Sequence, residues 1–314
     1  MLRQLRRFTM VNTYSHLLPD ASAHISASLS YYSPPANGEV PYAMQYNPDP
    51  NGKGLPTNIV PQEHRRPIFD LRQLVDEGRE SETNIATTGF QIVPKAISAT
   101  GMKYEDWEDE ATITSKYYSE VETLLKNVTG ASKVIIFDHT IRRGEKEGEE
   151  TPDTPESRKP VSRVHVDQTP MSGRRRVERH ASSPAEAERL LRGQAQLINV
   201  WRPLRGPVLD VPLAYADART LQKEQLVKSR LIYKPPTPEG ETLSVEYSDE
   251  HRWYYLSEMQ PDEAVLLKCW DNTPDGGRPT PHTAFLDERY HGKEGVTLRS
   301  SIEIRALVFH EPQE

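Results

Sequence analysis

The sequence is short of sulfur, of long apolar runs and of surplus positive charge. One cysteine in 314 residues, Cys269, excludes an intrachain disulfide framework and fits a reducing compartment. Its apolar surroundings, AVLLKCW, mark it as a buried, inert thiol. No run approaches the ~18 consecutive apolar residues of a membrane span. The basic start MLRQLRRFTM lacks the apolar stretch of a secretory signal, so a flexible tail and a cytoplasmic location are expected. With 39 basic against 46 acidic residues the net charge is −7, which gives no cationic footprint for nucleic acid. Glycine-rich phosphate loops and the Gly-x-Ser-x-Gly elbow are missing too, which removes nucleotide-binding and serine-hydrolase readings. No internal repeat is present.

Residues 1–30 carry no sustained periodicity and read as a flexible segment ahead of one domain, 31–314. Its first part, 31–130, reads as loop and helix. The Pro-, Gly- and Asn-rich run 31–67 should wrap a scaffold as ordered loop. Asp70 to Asp76 reads as a short helix and Thr87 to Val93 as a short strand. Ile113, Tyr117, Val121, Leu124, Leu125 and Val128 form one helical stripe, with Gly130 where a C-terminal cap belongs. A mainly β core with flanking helices is expected over about 131–314, opening with the strand Lys133 to Asp138. The run 143–160 is charged, Pro-interrupted and nearly devoid of apolar residues, so it reads as a mobile loop. Basic residues 173–180 read as a solvated face. Ser183-Pro184 starts a helix by hydroxyl cap and first-turn proline. A strand over Gln196 to Trp201 and a helix over Tyr215 to Lys228 follow. Short strands are then expected at 230–235, 242–247, 252–259 and 264–270. Regular short strands with turns point to a sandwich or barrel rather than βαβ units.

Chemistry concentrates in Val164-His165-Val166-Asp167-Gln168. As a strand it puts His165 and Asp167 on one face, because alternate residues project together. An imidazole beside a carboxylate supplies two of the three ligands of a facial triad, the set that suits non-haem Fe(II) oxygenases. His282, in TPHTAFLD, is the candidate third ligand. In RSSIEIRALVF, Arg299 and Ser301 share a face, and Arg305 has the same parity, so spacing leaves both arginines open as an anion anchor. Asn199 and Trp201 share a face of their strand and are, with Gln168, candidates to line a pocket. His139 reads as part of a satisfied polar cluster. No catalytic side chain beyond the metal centre stands out.

These residues carry a family resemblance. FDHTIR (137–142), VHVDQTP (164–170), INVWRPLRGPVLDVPLAYAD (198–217), EMQPDEAVLLKCWDN (258–272), TPHTAFLD (280–287) and RSSIEIRALVF (299–309) resemble the fungal Fe(II)- and 2-oxoglutarate-dependent oxygenases. Within these the match is to the AsaB-like and gibberellin desaturase-like hydroxylase/desaturases, relatives of the cephamycin methoxylation protein. The resemblance covers roughly the last 180 residues, and YYSPPANGEVPY (31–42) matches more loosely. It implies a double-stranded β-helix (jelly roll, cupin-like) using Fe(II), 2-oxoglutarate and dioxygen. It implies His165, Asp167 and His282 as iron ligands, and it favours Arg299 over Arg305 as partner of the cosubstrate's distal carboxylate. The activity implied is hydroxylation, desaturation or oxidative ring formation on a small-molecule intermediate of secondary metabolism. Related halogenases leave the carboxylate position empty for chloride; Asp167 fills it, so halogenation is not expected. The competing readings are a zinc hydrolase on the same three residues and a non-catalytic jelly-roll binding protein. No membrane or nucleic-acid partner is expected, and a homodimer is left open.

Overall fold

In the last strand alternate residues serve two different cores. Ile302, Ile304, Ala306 and Val308 are fully buried against Ile113, Tyr117, Val121 and Leu125 of the predicted helical stripe. Their neighbours Arg299, Ser301 and Glu303 are also buried, on the opposite face. A strand with polar groups on one buried face lies against an internal site, and the remaining strands complete that enclosure.

The computed structural model describes residues 24–35, 37–49, 56–96, 101–145, 158–273 and 277–311. In chain order these form β1 (His24–Ser33), β2 (Tyr42–Met44), β3 (Val60–Asp70), α1 (Arg72–Asp76) and β4 (Phe90–Val93). Next come α2 (Glu110–Thr112), a π-helical turn (Ile113–Tyr117), α3 (Tyr118–Thr129), β5 (Lys133–Arg143) and β6 (His165–Val166). The helices α4 (Pro170–His180) and α5 (Pro184–Arg192) lead to β7 (Gln194–Pro203), β8 (Leu213–Ala216), β9 (Leu226–Ile232) and β10 (Gly240–Val245). The chain ends with β11 (Trp253–Tyr255), β12 (Ala264–Asp271), β13 (His282–Ala284) and β14 (Ser300–His310). One sheet of nine strands runs β1-β3-β11-β8-β13-β6-β10-β9-β2, and a second of five runs β4-β12-β7-β14-β5. This is the expected mainly β jelly roll with flanking helices.

The predicted stripe runs through two elements, Ile113 and Tyr117 in the π-helical turn and Val121, Leu124, Leu125 and Val128 in α3, and Gly130 ends α3 in the left-handed conformation at φ 71°. A hydroxyl caps each of the next two helices. Thr169 Oγ1 accepts from the Ser172 N–H and Ser183 Oγ from the Glu186 N–H, and each helix begins with proline.

Three expectations need correction. The segment expected to be flexible, 1–30, overlaps β1: residues 24–30 pair antiparallel with β3, and 1–23 lie outside the described residues. The run 31–67 is not only loop, for it holds the end of β1, all of β2 and most of β3. Alternation decides β1, where Ala27, Leu29 and Tyr31 are buried between serines. The helix expected over Tyr215 to Lys228 is instead β8, two short 3-10 turns and the start of β9. Tyr215 pairs with both Tyr254 and His282, and this pairing overrides the local helix preference of the segment. The basic run 173–180 lies on α4, where Arg174, Arg175 and Arg179 are exposed as expected while Gly173 and Val177 are buried. Of the predicted loop 143–160, residues 146–157 lie outside the described residues.

Candidate metal centre

The three predicted donors converge. β6 is only two residues long and pairs with both β10 and β13, setting His165 directly opposite His282 with ring centroids 4.5 Å apart. Asp167 follows immediately after β6. One donor atom from each of His165, Asp167 and His282 lies within 4.8 Å of the others. Each imidazole is fixed from behind: His165 Nδ1 lies 2.7 Å from the Arg163 carbonyl and His282 Nδ1 3.1 Å from the Thr280 carbonyl. An Nδ1–H donated to a carbonyl leaves Nε2 with its lone pair free, the tautomer a metal requires. Both Nε2 atoms face Asp167 Oδ1, at 3.3 Å and 3.8 Å. With metal–nitrogen bonds of about 2.1 Å, adjacent donors on one ion lie roughly 3 Å apart, so the cluster is close to metal-binding dimensions. The donor set fits Fe(II): two imidazoles and one carboxylate on one side of a cavity.

Burial opposes ionisation of Asp167, but Arg305 and the two imidazoles outweigh it and hold the carboxyl well below the usual range. His282 is pushed down by burial and then by His165, which keeps it neutral and able to ligate.

Trp201, Arg299 and Glu303 line the same cavity as the triad. Arg299 is 3% exposed. Its backbone N–H is held by both oxygens of Asp210, its Nε donates to Ser301 Oγ at 3.1 Å, and one terminal nitrogen donates to the Val211 carbonyl at 3.0 Å. The guanidinium lies over the Trp201 ring, 4.9 Å from its centroid. Burial, then the neighbouring Arg142, press its pKa down to about 9, so it remains a cation at neutral pH.

The other candidates separate clearly. Arg305 directs its donors to Asp167, Asp138, Thr140 and Glu303. Asn199 does not reach for a ligand with its Nδ2, which donates to Asp167 Oδ2 at 2.8 Å; its Oδ1 is buried without a partner. Gln168 turns away, accepting from Ser172 Oγ at the start of α4, and is corrected from pocket residue to part of the helix cap. His139 bonds Tyr118 and faces Glu110, a satisfied polar cluster as expected. Cys269 is buried, and burial together with the charges of Asp167 and Glu303 pushes its thiol up, so it is unreactive. Sequence reasoning passed over Glu303, Arg142 and Thr140. Alternation was the available signal: Glu303 shares parity with Arg299, and Asp138, Thr140 and Arg142 face Arg305, Glu303 and Ser301 across the β5–β14 ladder.

Residues 29–309 match the family described as an oxidoreductase/YMDC permease-like domain. The chain is 31% identical over 291 residues to the alpha-ketoglutarate-dependent dioxygenase tstK of Talaromyces stipitatus, covering 90% of this chain and 96% of that protein. The chain belongs to the Fe(II)- and 2-oxoglutarate-dependent oxygenases. A 148-residue stretch of this oxygenase is 44% identical to the aspirochlorine biosynthesis protein N of Aspergillus oryzae; that match spans 47% of the chain and 60% of the relative. Its fold matches the solved iron and alpha-ketoglutarate-dependent endoperoxidase NvfI with TM-score 0.77 and 27% identity, covering 92% of this chain and 99% of that one. Among the described residues no helix of the oxygenase is long and apolar enough to cross a membrane.

Proposed function

We propose that this oxygenase hydroxylates, desaturates or oxidatively cyclises a small-molecule natural-product intermediate, with His165, Asp167 and His282 holding Fe(II) and Arg299 and Ser301 holding the distal carboxylate of 2-oxoglutarate. One observation carries the assignment of residues: a single cavity is lined by the three donors and by a buried arginine. When bound, iron and cosubstrate supply the oxidising chemistry, and the protein supplies orientation and exclusion of side reactions. The imidazoles present Nε2 because their Nδ1 atoms are tied to the backbone. Arg299 presents a planar fork suited to a carboxylate, with Ser301 oriented against its Nε. Trp201 stacks against the guanidinium and fixes its plane. The aspirochlorine biosynthesis protein N, a biosynthesis protein by its name, supports a natural product as substrate class.

Anaerobic Fe(II) titration tests the reading. Binding should saturate at one equivalent and be lost in His282→Ala. If that variant keeps full iron affinity and 2-oxoglutarate turnover, His282 is not a ligand.

A further inference from the structure

We infer that Arg305, together with Asn199, is a positioning residue that keeps Asp167 a one-oxygen ligand, so that the metal retains a position for reactants. The inference rests on the metal-centre reading above.

The two oxygens of Asp167 are divided between two tasks. Oδ1 faces both imidazoles, whereas Oδ2 accepts from Asn199 Nδ2 at 2.8 Å and from Arg305 Nε at 3.2 Å. A carboxylate free to rotate can offer both oxygens to one ion. With Oδ2 engaged twice, one of them by a charged donor, only Oδ1 is available. Both bonds end on a charged acceptor and are therefore charge-assisted, and Arg305 adds a full positive charge to the shorter bond from Asn199. On a six-coordinate ion, two imidazoles and one oxygen would leave three places, of which a chelating 2-oxo acid would need two, so a second carboxylate oxygen would compete for the third.

Arg305 is itself over-determined. Its terminal nitrogens donate to Asp138 Oδ2 at 3.0 Å, Thr140 Oγ1 at 2.8 Å and Glu303 Oε1 at 2.6 Å. Burial works against its charge, yet Glu303, Asp167 and Asp138 outweigh burial and hold it charged. Backbone irregularity supports the arrangement independently. β7 places Asn199 between Arg305 of β14 and Leu267 of β12. Beside that rung both ladders break register, β14 with β5 after Arg305 and β12 with β7 after Lys268. Bulges concentrate near active sites because they re-aim a side chain. Here the β5 bulge brings Asp138 opposite Arg305, within reach of its guanidinium.

The test uses Co(II) as a spectroscopic stand-in for iron, with the full chain of Asn199→Leu, Arg305→Lys and wild type. Removing partners of a ligand typically costs 10- to 100-fold in metal affinity. Both variants should bind Co(II) about ten to a hundredfold more weakly, and the Co(II)-loaded variants should lose 2-oxoglutarate affinity as well. Their visible Co(II) spectra before 2-oxoglutarate is added should differ from wild type, reporting the changed coordination. Asn199→Leu retains the Arg305 network and guards against a folding defect. Lower melting temperatures with unchanged Co(II) affinity and spectrum would make the pair purely structural and overturn the inference. Failure of wild type to bind Co(II) would instead overturn the metal-centre reading.

Discussion

At the scale of single residues, Arg299 and Arg305 show what a sequence can and cannot separate. Arg299 immediately precedes β14 and Arg305 lies within it, and equal parity gives them equal claims on an anion. Their neighbours differ. Arg305 meets three carboxylates and a hydroxyl, whereas Arg299 meets a serine, a carbonyl and the face of Trp201. Removing one partner of a buried charge pair typically costs about 3–5 kcal/mol, partly by stranding the other charge. At about 1.4 kcal/mol per tenfold, Arg299→Ala should weaken 2-oxoglutarate by at least a hundredfold while iron binding survives. Lysine at 299 should recover only part of the loss, since a point charge cannot reproduce the fork. Titration of the metal-loaded protein with 2-oxoglutarate decides it, and an undiminished affinity in Arg299→Ala would remove this residue as anchor. Of the three candidate metal donors, His165 and Asp167 were legible by alternation, whereas His282 lies far downstream and shows no periodic relation to them. Asn199's partner was not legible, because a hydrogen bond to Asp167 joins strands far apart in sequence.

At the scale of elements, α4 shows how closely a helix can be pressed on a sheet. A Cβ on Gly173 would lie 2.4 Å from two ring carbons of Trp270, and Trp270 is itself buried. The glycine is there for space, since no positive φ requires it. Gly173→Ala should destabilise the fold by about 1–3 kcal/mol through overpacking, read as a lower urea midpoint. An unchanged midpoint would mean that α4 lifts off the sheet at no cost. α4 was hidden in the sequence by its arginines, which suggested solvent; its cap at Thr169 and first-turn proline were the readable signals. β8 was hidden differently. Its four residues are too few to show a period, and only pairing with β11 and β13 defines it.

At the scale of the molecule, the N-terminal strands close the larger sheet. β1 is an edge strand in the pairing order, yet Ser30 bridges to Arg163 and Tyr32 to Glu246, so part of its outer edge is covered. A buried polar chain ties it further. The Trp253 indole donates to Tyr31 Oη at 2.7 Å, Tyr31 Oη lies 3.2 Å from His251 Nδ1, and His251 Nε2 lies 2.9 Å from Gln225 Oε1. Burial, then Arg66, lowers the His251 pKa to about 4. An unfolded histidine titrates near 6.5, so below that pH the unfolded chain binds the extra proton first. Stability should hold above pH 6.5, fall as pH drops from 6.5 toward 4, and lose about 3 kcal/mol over that window. Urea unfolding across this range should show the decline, and His251→Gln should flatten it. An identical slope in both proteins would place the titrating group elsewhere. The rhythm of short strands after residue 131 made a sandwich or barrel legible and the family resemblance implied the jelly roll, but the reach back to residue 24 was masked by a start without sustained periodicity. The order in which the chain is made has a consequence for metal loading. A growing chain presents His165 and Asp167 long before His282 exists, and β13 reaches its place beside β6 only after β8 is there to receive it. Until then a divalent ion meets only two of the three donors, and one of these is a carboxylate whose bond to Arg305 cannot yet form. The donor set is complete only once β13 is in place, and the Asp167 tether only once β14 has followed it.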